Sequence, residues 1–259
     1  MNINDETHCI GTKTRELDVT QPLKDTADEQ RNWHGDLCGY ILKKDSPSCG
    51  MARVKLYSSV DSKNNHSTKD GVGIYAQRLM ENFPFLPVEE EGRLTDAHLR
   101  ENFIQRVYIY SRWKALCEEG LTWANLQAFH ANHKYIFMSH NQLKAKELGA
   151  LLADTKDADI EVLALTYLEE MTALLKIITS RKKHVNTLHH IQGYLKRSLE
   201  GDDKAELKEL IEGYQKGLLP LIVPITLLRH HFRRNPNQYI TQSFYMDPHP
   251  GEMMLLNNI

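Results

Sequence analysis

The strongest constraint on the fold is a change of apolar spacing near residue 95. Beyond it, almost every segment has the spacing of an amphipathic helix, from "TDAHLRENFIQRVYIYSRWKALCEEG" to "PLIVPITLLRHHFRR". Thr95 is a suitable N-cap for the first of these helices, and Gly120 ends it. Because the connections between the later segments are short, we expect neighbouring helices to pack antiparallel in a bundle. The sequence therefore predicts a connecting helix at residues 95–120 and an all-α domain at residues 121–259, with an extended C-terminal tail docked on it.

Residues 1–94 have a different pattern, in which short apolar runs alternate with helical segments. "GYILK" and "RVKLY" are predicted strands, whereas "VTQPLKDTADEQRNW" and "VGIYAQRLMENF" are predicted helices. The polar stretch "SSVDSKNNHSTKDG" is predicted to be a loop, and "PFLPVEEEG" is predicted to be extended. Alternation of strands and helices is typical of an α/β region. We therefore expect a two-domain α+β protein, with an incomplete α/β domain followed by an all-α helical bundle.

Charge, hydropathy and cysteine content exclude several classes of protein. The formal net charge is −2, so any nucleic acid must be held by a local patch of positive charge. No apolar run reaches the roughly 18 residues that a membrane helix needs, so we expect no membrane partner. Four cysteines in 259 residues are too few for a disulfide framework. A reduced, cytoplasmic location is the expectation, and there a notable cysteine favours metal binding or nucleophilic chemistry.

The segment "SPSCG" places a cysteine on a tight turn directly after a predicted strand. Pro47 fixes its own φ angle, and Gly50 permits a sharp exit from the turn. The hydroxyls of Ser46 and Ser48, with backbone N–H groups, are suited to stabilise a thiolate at Cys49 or a bound anion. Positive charge nearby comes from Lys43, Lys44 and Arg53. The spacing alone fits equally well with an incidental cysteine on a turn between strands.

A family resemblance distinguishes between these two interpretations. "GYILKKDSPSCGMARVKLY" and "GVGIYAQRLMENFPFLPVEEEGRLTDAHLRENFIQRVY" resemble the second half of the TudS-type desulfidase domain. "FHANHKYIFMSH", "HHIQGYLKR" and "PLIVPITLLRHHFRR" resemble the YbgA-type helical domain, whose function is unknown. The order of the two resembles the RudS-type fusions, which remove sulfur from 4-thiouridine in tRNA.

The resemblance implies a cofactor and site residues. Members of the TudS-type family hold a [4Fe–4S] cluster through three cysteines, and the open iron takes the sulfur of the substrate. The resemblance implies that Cys49 is one of these metal ligands. It also implies that Ser46 and Ser48 are catalytic groups near the substrate.

This sequence departs from the family pattern before the matched region. The family has one cluster cysteine in a "SACLLG"-like segment and another in a "CPE"-like segment with an acidic proton donor. Neither segment occurs here, and Cys9, Cys38 and Cys117 are typical of packed, apolar cysteines. We therefore expect an incomplete cluster site. An unpaired sheet edge in such a shortened domain predicts a dimer formed through that edge.

The helical domain combines basic and aromatic residues in two segments. Basic groups suit phosphates and aromatic rings suit unpaired bases, so the pattern predicts binding to folded RNA, and the resemblance implies tRNA. The alternative is a set of solvated helix faces balanced by acidic helices. Tyr194, Phe232 and Tyr239 are the interleaved aromatic residues. The predicted RNA-binding residues are His130, His133, Lys134, Arg181, Lys182, Lys183, Tyr194, Lys196, Arg197, Arg229, Arg233 and Arg234.

Histidine is unusually frequent, with 13 in the chain and nine after residue 120. His130, His133, His184 and His189 lie on predicted helices, where facing imidazoles would be able to bind zinc or a two-metal centre. Taken together, the sequence predicts a tRNA thiouridine desulfidase-type protein with a tRNA-binding helical domain and an incomplete catalytic half. The alternatives are a non-catalytic RNA-binding or regulatory module, and a histidine–metal enzyme in the bundle.

Overall fold

A computed structural model describes residues 2–3, 6–58, 66–153, 159–253 and 255–257. The chain divides into two compact units, Met1–Asp96 and Ala97–Ile259. Strands and helices are mixed in the first unit, and the described part of the second is helical. The predicted two-domain α+β fold class is confirmed. In the part of the chain that the structure describes, no helix is long and apolar enough to cross a membrane.

The first unit contains six short strands and three helices among its described residues. In chain order they are β1 (Asn2–Ile3), β2 (Glu6–Thr7), α1 (Thr20–Glu29), α2 (Arg31–His34), β3 (Tyr40–Leu42), β4 (Val54–Tyr57), β5 (Ser67–Gly71), α3 (Ile74–Asn82) and β6 (Val88–Glu90). The two predicted strands correspond to β3 and β4, and the two predicted helices are formed by α1 with α2 and by α3. These predictions are confirmed.

Three two-stranded sheets organise this unit. β3 pairs in parallel with β6, so that Tyr40 lies opposite Val88, while β1 with β2 and β4 with β5 pair antiparallel. The predicted loop is wrong at β5, because all four side chains of this strand are exposed, its fifth residue is Gly71, and the sequence therefore shows no apolar alternation. Residues 59–65 of that predicted loop lie outside the described residues. The dimer through a sheet edge stays a prediction.

The second unit is built from eight helices in its described part. They are α4 (Ala97–Glu118), α5 (Trp123–His140), α6 (Gln142–Ala150), α7 (Ile160–Leu175), α8 (Arg181–Gln192), α9 (Gly201–Gln215), α10 (Ile222–Arg234) and α11 (Gln238–Thr241). Each helix predicted from apolar spacing is present. Gly120 has a φ of +93°, so it supplies the left-handed residue that follows α4.

Aromatic packing fixes the core where α4, α5 and α7 meet. The rings of Trp113 and Tyr167 stack with centroids 5.7 Å apart, and Phe129 meets Trp113 edge-to-face at 5.4 Å. All three side chains are buried. Such pairs contribute about 0.5–1.5 kcal/mol beyond the area that they bury. The same contacts hold α5 in place, which matters because α5 carries several of the predicted RNA-binding residues.

The C-terminal segment docks on the second unit, as the sequence predicted. Arg112 on α4 lies over the Phe244 ring at 3.7 Å and donates to the carbonyl of Pro248 at 2.7 Å. Leu255 and Leu256 are buried. The predicted extended conformation is wrong at residues 251–253 and 255–257, which form short 3-10 turns.

Candidate functional site

Residues 46–50 form a turn, here called the thiol turn, that hydrogen bonds to itself. The Cys49 amide donates to Ser46 Oγ at 3.1 Å, and the Gly50 amide donates to the Ser46 carbonyl at 2.8 Å. Ser46 Oγ and Ser48 Oγ are 3.1 Å apart, and Ser48 Oγ lies 3.3 Å from Cys49 Sγ. The structure therefore brings together the three residues that were predicted for catalysis and metal binding.

The thiol turn packs against the first turn of α3. The amide of Ile74 donates to the Pro47 carbonyl at 3.2 Å, and that of Ala76 donates to the Ser48 carbonyl at 3.0 Å. Gly73 allows this approach, because a Cβ atom there would lie 2.5 Å from the carbonyl of Ser48. Two of the amides at the start of α3 are thus used to hold the turn and are not directed at a ligand.

A buried carboxylate of β6 holds the exit of the thiol turn. The amides of Met51 and Ala52 donate to Glu90 Oε1 at 2.9 and 3.4 Å. The positive charge expected nearby is partly neutralised, since Lys43 Nζ lies 2.8 Å from Glu91 Oε1. Arg53 has a φ of +60°, a conformation that is uncommon for a residue with a side chain. The strand pairing between β3 and β6 therefore positions this carboxylate beside the turn.

Tyr75 and His34 form a polar group near the thiol turn that the sequence did not reveal. Tyr75 donates to Gln30 Oε1 at 2.6 Å, and its oxygen lies 3.0 Å from His34 Nε2 and 3.4 Å from the Tyr40 hydroxyl. Burial raises the pKa of Tyr75, and the neighbouring Tyr40 hydroxyl and Cys49 raise it further. Burial also lowers the pKa of His34. Tyr75 and His34 are 41 residues apart, so spacing gave no signal for this pair.

The cysteines of this chain do not account for the implied iron–sulfur cluster. All four lie in the described part and are free: Cys9, Cys38 and Cys49 are partly buried, and Cys117 is exposed on α4. Among the described residues, no group of three or more cysteine, histidine or acidic side chains is placed to hold a metal ion. A cluster bound by three thiolates does not fit the described residues, and the histidine–metal alternative has no ligand set there either.

The histidines of α5 are largely enclosed within the bundle. His133 is 1% exposed, and its Nδ1 atom lies 2.7 Å from the Phe129 carbonyl. His130 Nδ1 lies 3.0 Å from the Tyr167 hydroxyl. Burial lowers the pKa of His130 to about 4 and that of His133 to about 3. Both imidazoles are therefore neutral at pH 7, and His133 has no surface to offer to RNA.

The predicted basic residues occupy several separate places on the second unit. Arg181 and Lys182 are exposed at the start of α8, whereas Lys196 and Arg197 are exposed beyond its end. At 1.5 Å per residue, this helix of 12 residues separates the two groups by about 18 Å. Lys183, partly buried, donates to the Ile178 carbonyl at 3.2 Å.

Three further predicted arginines lie on α10. Arg229 donates through Nε to the Met246 carbonyl at 2.7 Å and pairs with Asp247 at 3.2 Å, so it fastens the C-terminal segment. Arg233 and Arg234 are exposed in the last turn of α10. The structure therefore gives Arg229 a structural contact and leaves the other two arginines open to solvent.

A groove between α5, α6 and the end of α8 brings cationic and aromatic side chains together. Its cavity has a volume of about 520 Å³ and is lined by Lys134, Tyr135, Met138, Gln142, Leu143, Ala145, Lys146, His190 and Tyr194. No acidic side chain belongs to this described lining. The Tyr135 hydroxyl donates to that of Tyr194 at 3.0 Å, and the ring of Tyr194 stacks on Tyr239 with centroids 6.0 Å apart. Lys134 and Tyr194 were predicted to bind RNA, whereas Tyr135, Lys146 and His190 were missed.

Comparison with known proteins gives each unit its own relatives. Residues 1–91 match the model of a family described as 2-thiouracil desulfurase, and residues 134–250 match a family described as a protein of unknown function, DUF1722. "Uncharacterized protein YbgA" of Escherichia coli (strain K12) is 26% identical over 146 residues, which cover 56% of this chain and 86% of that protein. No solved structure matches the chain. The chain therefore joins a 2-thiouracil desulfurase-type region to a YbgA-like helical domain.

Proposed function

We propose that this protein is a cytoplasmic tRNA thiouridine desulfidase-type protein that takes 4-thiouridine as its substrate and holds tRNA with its helical unit. The observation that supports the reaction class is the thiol turn, which lies inside the region matched to 2-thiouracil desulfurases. There Ser46, Ser48 and Cys49 share one hydrogen-bonded turn. A soft cysteine sulfur beside two hydroxyls suits a site that handles sulfur.

The tRNA part of the proposal is supported by the surface of the second unit. Exposed cations suit the phosphates of folded RNA, and the groove lined by Tyr194 adds aromatic surface for a base. The proposed RNA-binding residues are Lys134, Arg181, Lys182, Lys183, Tyr194, Lys196, Arg197, Arg233 and Arg234. His130, His133 and Arg229 are omitted. The two histidines are largely enclosed within the bundle, and Arg229 binds the C-terminal segment.

A second candidate is a non-catalytic RNA-binding or regulatory module. It is favoured by the lack of a ligand set, because the described residues place no group of three or more cysteine, histidine or acidic side chains to hold a metal ion. In that case the helical unit would bind tRNA while the first unit contributed no cluster of its own. The two candidates differ in whether iron binds and whether sulfur leaves the RNA.

One experiment separates them. The full chain is reconstituted anaerobically with iron and sulfide, and iron per chain is measured beside loss of 4-thiouridine from tRNA. Cys49→Ala tests the thiol turn, and Cys117→Ala, an exposed cysteine of α4, is the matched control. About four irons per chain, with sulfur loss that only Cys49→Ala abolishes, would support the desulfidase. Tight tRNA binding with no bound iron and no loss of sulfur from the tRNA would support the RNA-binding module.

A further inference from the structure

We infer that the groove between α5, α6 and the end of α8 binds a single unpaired nucleotide of RNA, with the base on the Tyr194 ring and its phosphate between Lys134 and Lys146. The inference rests on the proposed RNA-binding function and names the state of the nucleotide that the surface accepts. A base-paired nucleotide keeps its faces stacked on its neighbours, so it cannot offer a face to a ring inside a groove.

The first argument is the shape and size of the groove. Its volume of about 520 Å³ lies within the range of about 300–1,000 Å³ that is typical of small-molecule sites. The α6 wall is lined by Gln142, Leu143 and Lys146, and the α5 wall by Lys134, Tyr135 and Met138. Gln142 also accepts a hydrogen bond from Asn186 of α8 at 3.1 Å. Three helices thus hold a concave surface rather than a flat patch.

The second argument is the arrangement of the aromatic rings. Tyr194 is 42% exposed, although its ring stacks on Tyr239 and its hydroxyl accepts from the buried Tyr135. Tyr239 also meets Tyr135 edge-to-face, with centroids 6.1 Å apart. The Tyr194 ring is therefore fixed by neighbours while a large part of it stays open to the groove. A fixed and exposed ring is the kind of platform on which unpaired bases stack.

The third argument is charge. Lys134 and Lys146 are both exposed at the groove, and in the part of the chain that the structure describes neither is paired with a carboxylate. Lys134 Nζ lies 5.9 Å from the centroid of the Tyr239 ring, beside the Tyr194 platform. With no acidic side chain in the described lining, the groove favours an anionic ligand that also carries a planar ring. A nucleotide satisfies both conditions.

The test measures the affinity of the full chain for three fluorescent ligands: a tRNA transcript, a ten-nucleotide single-stranded oligouridylate, and an RNA duplex of equal length. Tyr194→Leu removes the ring and keeps an apolar side chain. Tyr194→Phe keeps the ring but removes the same hydroxyl partner of Tyr135, so it controls for any structural effect. Lys204→Ala, at an exposed position of α9 outside the proposed RNA-binding residues, controls for a general loss of charge.

Stacking of a base on an aromatic ring contributes about 1–3 kcal/mol, so Tyr194→Leu is expected to weaken binding of tRNA and oligouridylate about 5- to 150-fold. Tyr194→Phe is expected to change affinity less than about 3-fold, and duplex binding is expected to be insensitive to both variants. The plot of log K against log salt has a negative slope. Replacing Lys134 and Lys146 together by alanine is expected to make this slope shallower by about 0.7 for each phosphate that the variant no longer neutralises.

The possible failures are distinguishable. If tRNA binds to the wild type and to Tyr194→Leu with equal affinity, the nucleotide site is wrong while RNA binding stands. If the wild type binds neither the three RNAs nor a free nucleotide, both the proposed function and the nucleotide site are overturned. Free uridine monophosphate is titrated in parallel by NMR: if it binds at the groove while the RNAs do not, the site belongs to a free nucleotide and the RNA assignment is overturned.

Discussion

At the scale of single residues, Gly73 shows how little space separates α3 from the thiol turn. A Cβ atom at this position would lie 2.5 Å from the carbonyl atoms of Ser48 and 2.7 Å from the Cys49 amide nitrogen. All of these are backbone atoms, which cannot move aside as the end of a side chain can. We expect Gly73→Ala to lower the free energy of unfolding by about 1–3 kcal/mol, in the range of other overpacked sites. Urea unfolding of the full chain measures this loss.

Gly35 provides a matched control within the same unit. A Cβ atom there would be 3.4 Å from the nearest atom, the carbonyl oxygen of Asn32, which is ordinary van der Waals contact. Gly35→Ala is expected to leave stability within about 1 kcal/mol of the wild type. Equal free energies of unfolding for the two variants would contradict the close approach that Gly73 permits.

The sequence identified the cysteine of the site but not its surroundings. Ser46, Ser48 and Cys49 are neighbours in the chain, so a local pattern was enough to group them. Tyr75 and His34 meet only because α3 and α2 pack in the same unit. His133 shows the opposite kind of error. The sequence predicted that it binds RNA, but its side chain is buried in the structure. Burial depends on the neighbours that a helix acquires, which the sequence of that helix does not contain.

At the scale of elements, two N-caps on the second unit allow a direct comparison. Thr122 caps α5 through a reciprocal pair of bonds, since its Oγ1 accepts from the Asn125 amide at 3.2 Å and its own amide donates to Asn125 Oδ1 at 2.7 Å. Ser180 precedes α8, but its side chain makes no capping bond. The residue types are equally suitable as caps, so only the geometry distinguishes them.

We expect Thr122→Ala to lower the free energy of unfolding by about 0.5–2 kcal/mol, because the hydroxyl that accepts from the Asn125 amide at the start of α5 is removed. Ser180→Ala, at the corresponding position before α8, is expected to change it by less than about 0.5 kcal/mol. Thermal unfolding followed by far-UV circular dichroism measures both. A larger loss for Ser180→Ala than for Thr122→Ala would contradict the assigned capping box.

The burial of each helix or strand explains where the secondary structure was predicted correctly and where it was not. The helices of the second unit follow from apolar spacing, because one face of each is buried against its neighbours. β5 escaped prediction, since its exposed residues Ser67, Thr68 and Lys69 show no buried face. β5 is held by backbone pairing to β4, so its own residues do not show the apolar alternation from which a strand is predicted.

At the scale of the whole molecule, buried ionisable groups make stability depend on pH. Burial lowers the pKa of His130 and His140 to about 4, and that of His133 and His184 to about 3. An unfolded histidine has a pKa near 6.5, so below that pH the unfolded chain takes up protons that the folded chain does not. The stabilisation that depends on these neutral histidines is therefore fully present above about pH 6.5 and is lost as the pH falls below it.

Glu101 opposes this trend, because burial raises its pKa to about 7. It lies with His98 and His184 around a small cavity, and its Oε2 atom has no hydrogen-bond partner among the described residues. Tyr214 and Tyr245 also interact with this carboxyl group electrostatically, and Arg100 favours its charged form. The folded state holds this proton between about pH 4.5 and 7, so this one group stabilises the fold as the pH falls through that window.

We expect the free energy of unfolding to decrease between pH 7 and pH 5, because four histidines outweigh one carboxyl group. Glu101→Gln is expected to raise stability by about 1–3 kcal/mol at pH 8, where the buried wild-type carboxylate is charged, and to give no gain at pH 5. Urea unfolding at the three pH values measures both effects. A gain from Glu101→Gln that was the same at pH 5 and pH 8 would contradict the buried, titrating carboxyl group.

The sequence by itself determined the longer helices and the strands β3 and β4, and it located the thiol turn, because apolar spacing and turn chemistry are properties of neighbouring residues. Only the tertiary structure decided which distant side chains share a site. Tyr194 and Lys134 were predicted as site residues from basic and aromatic composition, whereas the packing of α5, α6 and α8 places Tyr135, Lys146 and His190 in the same groove. Packing sets both the burial that neutralises the histidines and the groove that keeps the Tyr194 ring open, because each depends on contacts between residues far apart in the chain.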